Sequence, residues 1–155
     1  MTASAQPTIH ASAVLVGTRA VLIRGAAGSG KSRLALGLIE AGRSGLLPFV
    51  RLVADDRSRL EAAHGRLLVR PAEKLAGLIE VRGLGLRRLP FEPVAVVGLV
   101  VDLDAADAER LPPAAQVEVI AGVPVPRLAV APNGDPLQQI VSFLTSVAAD
   151  AVEGG

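Results

Sequence analysis

The 155-residue sequence has no cysteine, no tryptophan and no tyrosine, and only three phenylalanines and one methionine. Without cysteine there can be no disulfide, no thiolate metal ligand and no thiol nucleophile, a usage compatible with a reducing compartment. So few aromatic rings leave almost nothing for nucleic-acid bases to stack on. A net charge of +1, with acids and bases interspersed, supplies no polyanion-binding stripe either. Nucleic acid is therefore not an expected partner. Long apolar runs are also missing. The longest, Val94 to Val101, falls far short of the ~20 residues that span a bilayer, and Met1 to Pro7 lacks the basic-then-apolar order of a signal peptide. The expected setting is cytoplasmic, with no membrane association.

Hydrophobic residues make up 50% of the chain and charged ones 20%, enough for one real core. The length predicts one domain, taken as residues 9–150 between a flexible start, 1–8, and a flexible tail, 151–155. Val14–Val16 and Val21–Ile23 around Gly17-Thr18 predict a hairpin. Leu34, Ala35, Leu38, Ile39 and Ala41 recur at helical spacing, with Gly42 as a stop signal. Phe49 to Ala54 reads as a strand ending on Asp55 and Asp56. Short strands follow around His64-Gly65, then a brief helix from Pro71 to Leu75. Ile79 to Leu89 is a strand broken by a tight turn at Gly83 and Gly85. Val94 to Asp102 reads as a buried strand, and Val117–Ile120 and Val123–Leu128 as a last pair. Asp135, Pro136 and Gln138 open a helix whose apolar face is Ile140, Phe143, Leu144 and Val147. The fold class is strand-rich α/β with few helices.

Gly25, Ala26, Ala27, Gly28, Ser29, Gly30, Lys31 and Ser32 fit G-x-x-x-x-G-K-[ST] between a predicted strand and a predicted helix. Glycines there let backbone N–H groups converge on phosphate oxygens, and the helix adds its positive end. Lys31 would reach the β- and γ-phosphates and the Ser32 hydroxyl would ligate Mg²⁺. A dinucleotide loop is excluded, because Arg33 stands where its third glycine is needed. A phosphate loop works with an acid at a strand end. Asp55 and Asp56 are the first candidates, since a cation or substrate would relieve the repulsion of adjacent carboxylates; which of the two is a base stays open on these grounds. Asp102 reads as a polar strand end continuing into a loop, and His64 as a turn residue.

In this order, His10-Ala11-Ser12, the phosphate loop, Leu52 to Asp56 and Ile79-Glu80-Val81-Arg82-Gly83-Leu84-Gly85-Leu86 resemble the catalytic domain of bacterial HPr kinase/phosphorylase, which phosphorylates a serine of the phosphocarrier HPr. The likeness spans about residues 9 to 111 and implies a P-loop fold related to phosphoenolpyruvate carboxykinase. It implies ATP and Mg²⁺ as cofactors, an HPr-like phosphocarrier of the phosphotransferase system as partner, and a homo-oligomer. It makes Asp56 the base, with Asp55 secondary, and lets Glu80 share the magnesium with Ser32 and Asp55. It adds His10, Lys31, Arg82 and Arg110 to the catalytic residues.

The chain also departs from that pattern. It matches a short form without the large N-terminal domain, carries extra residues around Arg43 to Phe49, and represents the Pro-x-Arg-Pro-Gly-Arg-Asn stretch associated with dephosphorylation only by Val123-Pro124-Val125-Pro126-Arg127-Leu128. The HPr-docking helix corresponds at best to Pro136 to Ala149. From the residues alone a second class stays open, a nucleotide- or phosphate-sensing module that transfers nothing. A GTPase lacks support, since no Asn-Lys-x-Asp motif occurs.

Overall fold

The computed structural model describes residues 7–112 and 116–149. In chain order it contains β1 (Thr8–Ile9), β2 (Ala11–Val16), β3 (Arg19–Arg24), α1 (Lys31–Arg43), β4 (Val50–Ala54), β5 (Ser58–Ala63) and β6 (Arg66–Pro71). After a 3₁₀ turn (Glu73–Leu75) come β7 (Leu78–Val81), β8 (Gly85–Arg88), β9 (Ala95–Asp102), β10 (Gln116–Ile120), β11 (Val123–Ala129) and α2 (Pro136–Thr145). The expected strand-rich α/β pattern with few helices is the observed one. Thr8, placed by the sequence in a flexible start, pairs with Arg59; the expected tail, 151–155, lies outside the described residues.

The main sheet runs β1-β5-β6-β9-β3-β2-β4, with β11 also against β9 and β10 beyond β11, while β7 and β8 form a separate hairpin. β9 is parallel to β3 along most of its length. On its other edge it pairs with β6 at Ala95 and Val96 and with β11 from Val100 to Asp102. Because β2 is antiparallel to both β3 and β4, strands β3, β4, β9 and β11 point the same way. Their C-terminal ends deliver Gly25, Asp55, Leu103 and Val130 to one end of the sheet, where open α/β sheets bind ligands.

Alternation along each strand divides the apolar residues between two faces. Val21, Ile23, Leu52, Leu99 and Val101 meet Leu34, Leu38 and Ile39 of α1 and Ile140 of α2. Leu22, Val53, Leu67, Val69, Val100 and Val125 fill the opposite side together with Ala11, Ala13, Ala20 and Ala54. The small alanines allow the sheet to curl until β4 lies against β6.

Three expectations are corrected. Gly42 does not stop α1, which continues to Arg43 and is closed by Ser44. A Cβ at Gly42 would stand 2.6 Å from Cγ2 and 2.7 Å from Cβ of Val50, so the glycine is there for the close approach of helix and strand. Pro71 belongs to β6, leaving only Glu73–Leu75 as a turn of helix. In α2, Asp135 accepts from the Gln138 N–H as predicted, but the helix ends at Thr145. Thr145 and Ser146 donate back to the Val141 and Ser142 carbonyls, the local alternative that disfavours continuing the helix. Only Ile140 of the expected face is buried, and Val147 is 70% exposed. Among the described residues no helix is long and apolar enough to cross a membrane.

Candidate active site

The loop after β3 is built as its glycines require. Gly28 and Gly30 have φ of +81° and +102°, and a Cβ at either would meet nothing within 4 Å, so the backbone there lines open space. Gly30 is the N-cap of α1 and offers no side chain to the first-turn N–H groups. These donors are thus left for an anion, in line with the helix dipole. The Ser29 hydroxyl is buried against Gly25 within the loop, without a hydrogen-bond partner among the described residues. Lys31 is 5% exposed, and its ammonium donates to the carbonyls of Gly25 (2.9 Å) and Ala26 (3.1 Å).

The two acids after β4 occupy different environments. Asp55 is 7% exposed. Its Oδ1 accepts from the hydroxyls of Ser32 (2.6 Å) and Ser12 (2.8 Å), and its Oδ2 accepts from Ser32 (2.8 Å) and the Glu80 N–H (3.2 Å). Ser12, fully buried, accepts in turn from the Asp56 N–H at 3.1 Å. Asp56 keeps 55% of its side chain exposed, with Oδ1 3.7 Å from the Lys31 ammonium. Its φ is +66°, and the Arg57 N–H donates to the Asp55 carbonyl at 2.8 Å. This is a γ-turn of the rare positive-φ kind, a strained conformation held by its surroundings. Asp55 is therefore held by three donors, whereas Asp56 is turned out beside the lysine.

The other predicted residues are distributed unevenly. Glu80 touches the centre through its backbone N–H, and its exposed side chain makes no polar contact among the described residues; Arg82 is exposed at the β7–β8 turn. His10 is exposed, next to the Ala11 N–H that donates to the Asp56 carbonyl. Arg110 is exposed in the loop after β9 and is brought to none of these groups by any ion pair or hydrogen bond among the described residues. Ser12 was missed as a site residue, although a hydroxyl opening an otherwise apolar strand was a signal.

Asp102, read from sequence as a polar strand end, is the hub of an ionic cluster. Arg24, the residue before the phosphate loop, donates to it at 2.7 and 2.8 Å and also pairs with Glu118. Arg127 donates to Asp102 at 2.6 Å, to Asp107 at 2.9 Å and to Gln116 at 2.8 Å. Burial alone pushes the Asp102 carboxyl up, but the hydrogen bonds and charges of the two guanidiniums outweigh it and hold it below its ordinary value. In this chain, Arg127 of the shortened stretch anchors the β10–β11 hairpin to the strand end beside the loop.

A cleft of about 720 Å³ adjoins Ser29 and Gly30 and continues between Arg33, Leu34 and Gly37 of α1 and the segment from Val130 to Leu137. Among the described residues no group of three His, Cys, Asp or Glu side chains could hold a metal. The Ser32 hydroxyl and the Asp55 carboxylate together fit the demand of Mg²⁺, which takes one or two protein oxygens and completes its shell with phosphate and water.

The profile of the HPr Serine kinase C-terminal domain matches residues 2–149. The chain is 41% identical over 80 residues to an HPr kinase/phosphorylase of Streptococcus thermophilus, covering 51% of this chain and 24% of that protein. It is 31% identical over 135 residues to that of Limosilactobacillus reuteri, covering 79% of this chain and 40% of the relative. The matches thus span about a quarter to two-fifths of these relatives' length. A solved structure, the HPr(Ser) kinase/phosphatase of Coxiella burnetii, superposes with a TM-score of 0.75 at 24% identity, covering 97% of this chain and all of that one, which fixes the fold. With that fold carrying an intact phosphate loop and the family profile running over almost its whole length, the chain belongs to the HPr serine kinase C-terminal domain family.

Proposed function

We propose that the chain is a Mg²⁺- and ATP-dependent serine kinase acting on an HPr-like phosphocarrier protein. The observation that carries this reading is the division of labour between the acids. Asp55 is tied to Ser32 of the phosphate loop, and Asp56, strained and exposed, stands 3.7 Å from Lys31. The loop N–H groups and Lys31 hold the β- and γ-phosphates, the ammonium exchanging its two carbonyl acceptors for phosphate oxygens. The nucleoside lies along the cleft beside Arg33 and Leu34. Ser32 and Asp55 would hold Mg²⁺, which would supply charge neutralisation on the phosphates. The acceptor serine approaches Asp56, which takes its proton as the new serine O–P bond forms and the bond from the γ-phosphorus to the β-phosphate oxygen breaks, releasing ADP. In the phosphorolytic direction an oxygen of inorganic phosphate bonds to the phosphoserine phosphorus as the serine O–P bond breaks, Asp56 gives its proton to the serine oxygen, and pyrophosphate leaves. His10 and Arg82, at the rim, contact the incoming phosphoryl group or serine. Catalysis is mainly positioning and charge stabilisation.

The test is phosphoserine formation on an HPr-type protein with Mg·ATP, read by mass spectrometry. The chain should phosphorylate it, and Asp56→Asn should lose at least about a hundredfold in kcat while retaining nucleotide affinity. Absence of phosphoserine would refute the kinase reading, and full activity in the variant would refute the base.

A further inference from the structure

The β7–β8 hairpin is anchored on one side by Ile79, which is 1% exposed, while Leu84 and Leu86 stand out at 61% and 67% exposed. Arg82, Arg87 and Arg88 are exposed beside them. None of the three takes part in an ion pair among the described residues, whereas Arg43, Arg51 and Arg70 each find a glutamate. Register places Leu86 opposite Glu80 and Arg88 opposite Leu78, so Leu86 and Arg88 share the outer face with Glu80. The same β7 strand donates its Glu80 N–H to Asp55. At about 3.3 Å per residue, the hairpin tip lies roughly 7–13 Å along the chain from that contact. Leu86 and Arg88 on that face, with Leu84 and Arg82 at the turn joining the two strands, thus form one exposed surface that begins beside Asp55, while Arg87, opposite Ile79, belongs to the other face.

We propose that this hairpin docks the protein acceptor, gripping a segment that carries carboxylates and an apolar side chain near the acceptor serine. This inference rests on the kinase reading for the identity of the bound protein, and it adds where and by what chemistry that protein is held. Charge selects the partner: cations without internal partners attract an acidic segment. The interleaved leucines, and Glu80 on the same face, favour a protein over a nucleic-acid backbone, which would meet repulsion from the carboxylate and gain nothing from the leucines.

The experiment measures binding separately from transfer. An HPr-type phosphocarrier is titrated by calorimetry into the full chain and into Arg88→Glu, at about 25 and 150 mM salt, with Mg·ATP affinity and phosphoserine yield measured on the same samples. Arg88→Glu should bind the protein at least about tenfold more weakly and bind Mg·ATP unchanged. Its binding should also lose most of the parent's salt dependence. Leu84→Ser should weaken protein binding without altering that salt dependence. The proposal is overturned if Arg88→Glu binds the protein within twofold of the parent, if the parent does not bind it, or if a random-sequence DNA duplex displaces it. Hairpin-dependent binding without phosphoserine would refute the kinase reading and leave the docking surface standing.

Discussion

Replacing Gly42 with alanine sets two effects of known size against each other. A helical glycine costs up to about 1 kcal/mol relative to alanine, so on propensity alone the change stabilises. The added Cβ, however, would stand 2.6 Å from Val50 Cγ2 and 2.7 Å from Val50 Cβ, about 1 Å inside normal carbon contact. Rotation of the valine can move Cγ2 but not Cβ, so helix and strand must separate, at the upper part of the ~1–3 kcal/mol that overpacking costs. The net expectation for Gly42→Ala is a loss of about 1–2 kcal/mol, or roughly 2–8 °C in a domain of this size. In a Val50→Gly background the obstacle is gone, and the same substitution should stabilise by about 1 kcal/mol. The coupling energy from the double-mutant cycle should therefore reach about 2–3 kcal/mol. Urea unfolding with unchanged m-values measures it. The other ends of α1 and β4 carry Ser32 and Asp55, bonded at 2.6 Å, so the single variant should also bind Mg·ATP more weakly. A stabilised Gly42→Ala, or a coupling below about 0.5 kcal/mol, would refute the reasoning.

Two further predictions concern the polar networks. Asp102 is held below its ordinary value of 3.8, so the folded state binds fewer protons than the unfolded one as pH falls toward that value. Its contribution is present above about pH 4 and is lost as pH drops through the lowered folded value. Urea midpoints should therefore fall below pH 4 in the parent, and Asp102→Asn should be less stable at neutral pH with a shallower acid limb; superimposable pH profiles would exclude the cluster as the source. Ser12→Ala should cost about 1–3 kcal/mol, because the Asp56 N–H loses its buried acceptor, and should lower kcat by releasing the strained turn. Parental stability and turnover would show that the hydroxyl holds neither acid.

The phosphate loop was legible because its motif and geometry are local. Eight consecutive residues supply the N–H groups, the lysine and the hydroxyl, and the flanking strand and helix announce themselves by composition. The acid pair was legible for the same reason, though not the difference between its members, which arises from Ser12, 43 positions before Asp55. Gly42 was misread because its local meaning, a helix stop, is overridden by a strand that returns against it only after Ser44 to Phe49. Asp102 was rightly read as a polar strand end, but its ionic cluster was not legible, because its partners lie 78 positions before it and 25 after it, where no spacing rule applies. Glu80 was singled out for its carboxylate, yet the contact it makes with Asp55 is through its amide, which every residue but proline carries.

The split pairing of β9 has a bearing on how the chain acquires its shape. The β2–β3 and β5–β6 hairpins join neighbours in sequence and can form early and alone. Neither presents a complete site: one leads into the phosphate loop, and the other begins after the acids that serve it. β9 is made later and lies alongside both, zipped to β3 on one edge and to β6 and then β11 on the other. Its pairing is the long-range step that joins the two hairpins, and it also completes the sheet end that carries the phosphate loop and the two acids. A chain halted before Ala95 would hold both hairpins and the glycine loop without the strand that joins them.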